Sequence, residues 1–84
     1  MDLKDTIQLM QSENFKDRFK AEYYQTKIRL DKLNQMITKY KACTLDFTPR
    51  TPIKILEEQA CHMGNYLKQL EIRAEIEGVD LSEV

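Results

Sequence analysis

Tryptophan is absent from the 84 residues, glycine, proline and cysteine occur twice each, and there is one histidine. Two glycines cannot build a GxxxxGK[ST] or GxGxxG phosphate loop, so nothing supports enzymatic phosphate chemistry. A sheet protein needs turn residues at every hairpin, and this chain has too few. His62 has no second histidine with which to share a metal and no serine nearby to activate. Its neighbour Cys61 points about 100° away on a helix, which prevents direct pairing. The glutamates at 57, 58, 71, 75 and 77 never form the Glu-x-x-His pattern of di-metal bundles and read as a solvated helix face. No catalytic residue, metal ligand or cofactor is assigned, and the expectation is a protein that is not an enzyme.

Long apolar runs are missing as well. None approaches the roughly 18 residues of a membrane span, and the opening MDLKDTIQLMQ has neither the basic head nor the apolar centre of a signal peptide. A cytoplasmic location without membrane contact is therefore expected, and Cys43 and Cys61 read as reduced thiols. The formal charge of -1 gives no overall field toward DNA, and with no recognition motif visible a nucleic-acid polymer is not an expected partner. The charge is unevenly spread: residues 1–42 carry +3, residues 43–51 balance, and residues 52–84 carry -4. Antiparallel helices with these signs attract each other.

What is present is helical periodicity. A composition of 42% hydrophobic and 32% charged residues fits a helical chain and argues against disorder. Phe19, Tyr23, Thr26, Leu30, Leu33, Ile37 and Tyr40 recur at spacings of 4, 3, 4, 3, 4 and 3, a heptad seam. With Ser12 as its N-cap, this predicts a helix over about 13–42. Ile53, Leu56, Ala60, Met63, Leu67, Leu70 and Ala74 repeat the pattern. Thr51 as cap, Pro52 at the first helical position and Gly78 as the stop predict a second helix over about 52–77.

The fold class is thus all-α, a single domain over 1–84 built as an antiparallel helical hairpin. Leu3, Ile7 and Met10 add a short N-terminal helical segment, expected to dock on a neighbouring subunit. Val79 and Leu81 are expected to anchor the start of a fraying tail, Asp80 to Val84. Phe15, Tyr24, Ile28 and Met36 lie off the first seam, and Ile55, Tyr66, Ile72 and Ile76 lie off the second. A second apolar stripe marks a partner surface, so a homo-oligomer of hairpins is expected.

The connection KACTLDFTPRTPIK holds more chemistry than a turn needs. Lys39, Lys41, Arg50 and Lys54 gather around it against Asp46 alone. Arg50 suits a phosphate through paired hydrogen bonds, Thr48 and its neighbouring threonines add neutral donors, and Phe47 offers a face on which a purine stacks. The plainer alternative has Phe47 capping the hairpin core and Arg50 in solvent.

Read in order, FKDRFKAEYYQTKIRLDKL, a connection containing LDF, and ILEEQACHMGNYLKQLEIRAEIEG resemble a family of small phage and prophage helical-hairpin sponge proteins that counter bacterial defence. The pattern joins Phe15-x-x-Arg18-Phe19, Glu22 with Tyr23 or Tyr24, and Arg29 then Leu33. It continues as Leu56-x-x-Gln59-x-x-x-Met63-x-x-Tyr66-x-x-x-Leu70-x-x-Arg73, so that the resemblance spans Phe15 to Gly78. It implies a hexamer that binds cyclic nucleotide second messengers of CBASS or Thoeris defence without cleaving them. It also implies an aromatic near the connection against a ligand base, matched by Phe47, and arginines meeting phosphates in intersubunit pockets, matched by Arg73 and Arg18. Arg50, Lys54 and Thr48 join the ligand-binding set on chemical grounds alone. An ordinary ion pair with Glu77 or Glu71 is the alternative for Arg73, and a structural coiled-coil adaptor for a host or phage protein is the alternative for the whole chain.

Overall fold

The computed structural model describes residues 1–82, and among them every regular element is helical. A 3-10 turn, Leu3–Thr6, runs into α1, Ile7–Met10; α2 spans Phe15–Lys41 and α3 spans Ile53–Glu77. The two long helices fold back on each other as an antiparallel hairpin about 43 Å long. Their register is fixed by reciprocal bonds. Tyr23 on α2 donates to the Glu71 carboxylate on α3 at 2.9 Å, and Tyr66 on α3 donates to the Glu22 carboxylate on α2. Nearer the connection, Lys41 meets Glu57 at 3.1 Å.

Both heptad seams face inward as the spacing predicts, but burial is uneven along them. Phe19, Tyr23, Leu30, Leu67, Leu70 and Ala74 are buried in one cluster, whereas Leu56, Ala60 and Met63 are half-buried and Tyr40 is exposed. The core therefore thickens at the open end of the hairpin and thins toward the connection. Two additions cause this. The tail after Gly78 folds back, placing Val79 in the cluster and Leu81 against it, and the Tyr24 hydroxyl donates to the Leu81 carbonyl at 2.6 Å. Beyond it, the Ser82 hydroxyl and amide hydrogen-bond the Asp80 carboxylate and hold it below its ordinary pKa. Tyr24, which lies off the first seam, is thus covered by its own chain; of the expected fraying tail, Asp80 to Ser82 is ordered in this way, and 83–84 lie outside the described residues.

The N-terminal segment docks on its own α2, where a neighbouring subunit was the expected support. Thr6 is fully buried; its hydroxyl donates to the Leu3 carbonyl at 2.6 Å and accepts from Gln25 on α2 at 2.8 Å. That pair satisfies a buried polar group through one intersegment bond, which an apolar count misses.

Helix ends depart from expectation by one or two residues. Asn14, not Ser12, caps α2 by accepting from the Lys16 amide at 2.9 Å. Ser12 is occupied elsewhere, donating to Asp17 and accepting from the Asn14 amide. Pro52 itself is the N-cap of α3, with φ -55° and ψ 141°, and Thr51 makes no cap bond. Its extended ψ leaves Pro52 outside the helix, so Ile53 takes the first helical position. Gly78 closes α3 in the left-handed region at φ 70°, as its position predicts.

Candidate functional site at the hairpin connection

α2 ends on a residue that costs energy. Cys43 sits at φ 60°, with its amide donating to Tyr40 and the Thr44 amide donating to Lys39 at 2.9 Å. This is the Schellman closure that glycine usually supplies, and the Cβ of cysteine makes it less favourable by about 1 kcal/mol. The closure turns the chain so that Thr44 to Phe47 lie back along the outer side of α2. Leu45 is half-buried there while Phe47 is 55% exposed and stands outside the core cluster. Phe47 does not cap the hairpin core.

Two hollows flank that segment. The first, of about 340 Å³, is walled by Lys32, Gln35, Met36 and Lys39 of α2 and closed by Thr44 to Phe47. The second, also about 340 Å³, is formed by Tyr40, Cys43, Leu45, Phe47 and Thr48. Leu45 and Phe47 are common to both, so the exposed ring forms the wall between them. The first hollow offers two ammonium groups, an amide, a thioether and an aromatic edge against the single carboxylate of Asp46. That is a concave, weakly cationic surface suited to a flat anionic ligand.

Lys32 and Lys39 face the hollow together because they are seven residues apart, two helical turns on one side of α2. Lys32, Gln35 and Met36 are absent from the sequence-derived site, and Lys39 enters it only as one of a cluster of cations. The signal that finds them is the side of α2 opposite its seam, and it becomes readable only once the connection is known to fold back over that side. Of the cations expected at the connection, Lys41 is paired with Glu57, and Arg50 and Lys54 are exposed but line neither hollow.

The arginines implied by the resemblance lie at the other end. Arg18, in the first turn of α2, donates to the Ser12 carbonyl at 2.8 Å. Arg73, near the end of α3, lies over the Phe19 ring at 5.1 Å and bonds Glu77 at 3.3 Å. Glu77 is thus the ion-pair partner weighed for Arg73. Twenty-three residues of helix separate Arg18 from Lys41, roughly 35 Å at 1.5 Å per residue. Within one chain the six expected residues therefore form two groups: Phe47, Thr48, Arg50 and Lys54 at the connection, Arg18 and Arg73 at the open end.

A third hollow, of about 330 Å³, lies between α3 and the tail, with Tyr23, Glu71, Glu75 and Asp80 among its walls. Burial, with the Glu71 carboxylate beside it, raises the Tyr23 phenol from 10.0 to about 12, so Tyr23 stays a neutral donor. Its walls are acidic, unlike those of the hollow beside Lys32 and Lys39.

Fold and site together define a helical hairpin with a concave, aromatic and cationic tip. A family model for Sequestin matches residues 13–76, more than half of the chain and both long helices up to the last turn of α3. The chain belongs to the Sequestin family, in agreement with the resemblance to sequestering anti-defence hairpins. No curated protein and no solved structure matches the chain.

Proposed function

We propose that this protein is a non-enzymatic sponge that sequesters cyclic nucleotide second messengers of bacterial defence, of the cyclic oligonucleotide or cyclic ADP-ribose kind. The observation that carries the reading is Phe47. A large aromatic ring held more than half exposed between two hollows, beside Lys32 and Lys39, suits a base with its phosphates. Membership of a sequestering family supports the same reading.

Sequestration differs from catalysis in what it requires. The ligand is held and its concentration lowered, so no nucleophile or general base need touch it. A hairpin two helices thick encloses little, and each hollow is open on one side. Assembly of hairpins into a homo-oligomer, a hexamer by family resemblance, closes such surfaces and brings the open-end arginines of one chain toward the tip of another. The setting is the cytoplasm of an infected or lysogenic bacterium, where CBASS and Thoeris signals are made. Among the described residues no helix is long and apolar enough to cross a membrane.

Titration calorimetry with cyclic di- and trinucleotides and cyclic ADP-ribose isomers tests the reading. Saturable micromolar or tighter binding of at least one class is expected, and indifference to all of them overturns it. A protein partner captured at defined stoichiometry, with no nucleotide bound, would instead favour the coiled-coil adaptor.

A further inference from the structure

Asp46 is the one acid lining the hollow beside Lys32 and Lys39. In a hollow suited to an anion, a carboxylate weakens binding by repulsion unless the ligand brings donors of its own. Nor does the fold employ it. Asp46 is exposed and, among the described residues, its side chain makes no turn or cap hydrogen bond and pairs with neither lysine. Acids on the helices are used: Glu57 meets Lys41, Glu71 accepts from Tyr23, and Glu22 accepts from Tyr66. The Lys32, Gln35 and Lys39 side chains are likewise without partners among the described residues, so the polar groups of α2 in this hollow stand free together with the carboxylate.

We propose that Asp46 makes this hollow selective for guanine, so that the ligand of the connection is a cyclic oligonucleotide carrying at least one guanine; the inference rests on the reading of the protein as a nucleotide sponge. A carboxylate has two acceptor oxygens and no donor. The Watson–Crick edge of guanine sets N1–H beside the exocyclic amino group, two donors that a carboxylate meets with two parallel, charge-assisted bonds. Adenine sets one amino donor beside the N1 lone pair, which a carboxylate repels. No other group in the hollow makes that distinction. Stacking on Phe47 serves every base, and Lys32 and Lys39 meet phosphates that every such ligand carries. The Gln35 amide can turn either its oxygen or its nitrogen toward a base and so tolerates both purines. The second hollow, on the other side of Phe47, has no charged side chain among its walls, so a second base held there is not selected in this way. A cyclic ADP-ribose isomer, whose base is adenine, gains the stack and lacks the paired bonds.

Calorimetry of the full chain with cyclic di-GMP, cyclic di-IMP and cyclic di-AMP, repeated with Asp46→Asn, tests the selectivity. Cyclic di-IMP keeps the rings, the N1–H and the phosphates of cyclic di-GMP and lacks only the amino groups. The wild type is expected to bind cyclic di-GMP roughly tenfold tighter than cyclic di-AMP, the scale of one bidentate base contact, with cyclic di-IMP between them. Asp46→Asn exchanges one acceptor for a donor and is expected to bring the three nucleotides within roughly threefold of each other. Because Asp46 is exposed, circular dichroism of that variant is expected to match wild type. Cyclic di-AMP or cyclic di-IMP bound by the wild type as tightly as cyclic di-GMP, or the guanine preference kept by Asp46→Asn, overturns the inference and leaves the sponge reading standing. Binding of cyclic ADP-ribose isomers with none of cyclic di-GMP does the same. Indifference to every cyclic nucleotide overturns the sponge reading and the inference with it.

Discussion

The Tyr23 hydroxyl on α2 donates to the Glu71 carboxylate on α3 at 2.9 Å, tying a buried ring to an exposed acid across the hairpin. Because the phenol is raised from 10.0 to about 12, the folded state favours its neutral form more than the unfolded chain does. Its contribution is full below pH 10.0 and is lost as pH rises through about 12. Thermal melts between those values should show the wild type losing stability faster than Tyr23→Phe. Equal slopes would remove this bond from the account.

Leu70, 1% exposed, is the centre of the open-end core. Leu70→Ala should cost about 2 to 5 kcal/mol in denaturant unfolding, the range for a buried leucine that leaves a cavity. Leu56→Ala, at the thinner end, should cost less than Leu70→Ala. Reversal of that order would contradict the uneven core.

Cys43 occupies a left-handed position without being glycine. Cys43→Gly should therefore stabilise the chain by about 1 kcal/mol, and Gly78→Ala should destabilise it by about as much. Opposite signs for two changes at helix ends are readily seen in paired thermal melts.

Phe47 is more than half exposed and lies outside the core cluster, so Phe47→Ala should leave unfolding within about 0.5 kcal/mol of wild type. Ligand binding should nevertheless weaken by about 1 to 3 kcal/mol, the value of one base–aromatic stack. Lys39→Gln, read by calorimetry at two salt concentrations, should weaken binding and reduce its salt dependence. A Phe47→Ala chain that unfolds early and binds normally would return the ring to a structural role.

Both seams, the hairpin and the Gly78 stop are legible from spacing and one residue type, because a helix buries what recurs every third or fourth position. The N-terminal dock is not. It rests on Thr6 and Gln25, two polar residues whose pairing depends on where a separate segment lands. Tyr24 reads as surplus surface for a similar reason, since its cover is a tail that leaves the helix at Gly78. At the connection the sequence identifies Phe47 from composition, and Arg50 and Lys54 by nearness in sequence. The fold-back of Thr44 to Phe47 brings Lys32 and Lys39 beside the ring as well, through a turn at Cys43 that no propensity rule places at a cysteine.

A sponge holds its ligand and does not change it, and release after denaturation measures both at once. A cyclic nucleotide found to bind is mixed with excess protein, the free fraction is filtered away, and the retained complex is heated to unfold the protein. Sequestration predicts an empty filtrate before heating and full recovery of the intact cyclic nucleotide after it. Ligand left free in the first filtrate, or recovered as a linear product in the second, would contradict the account.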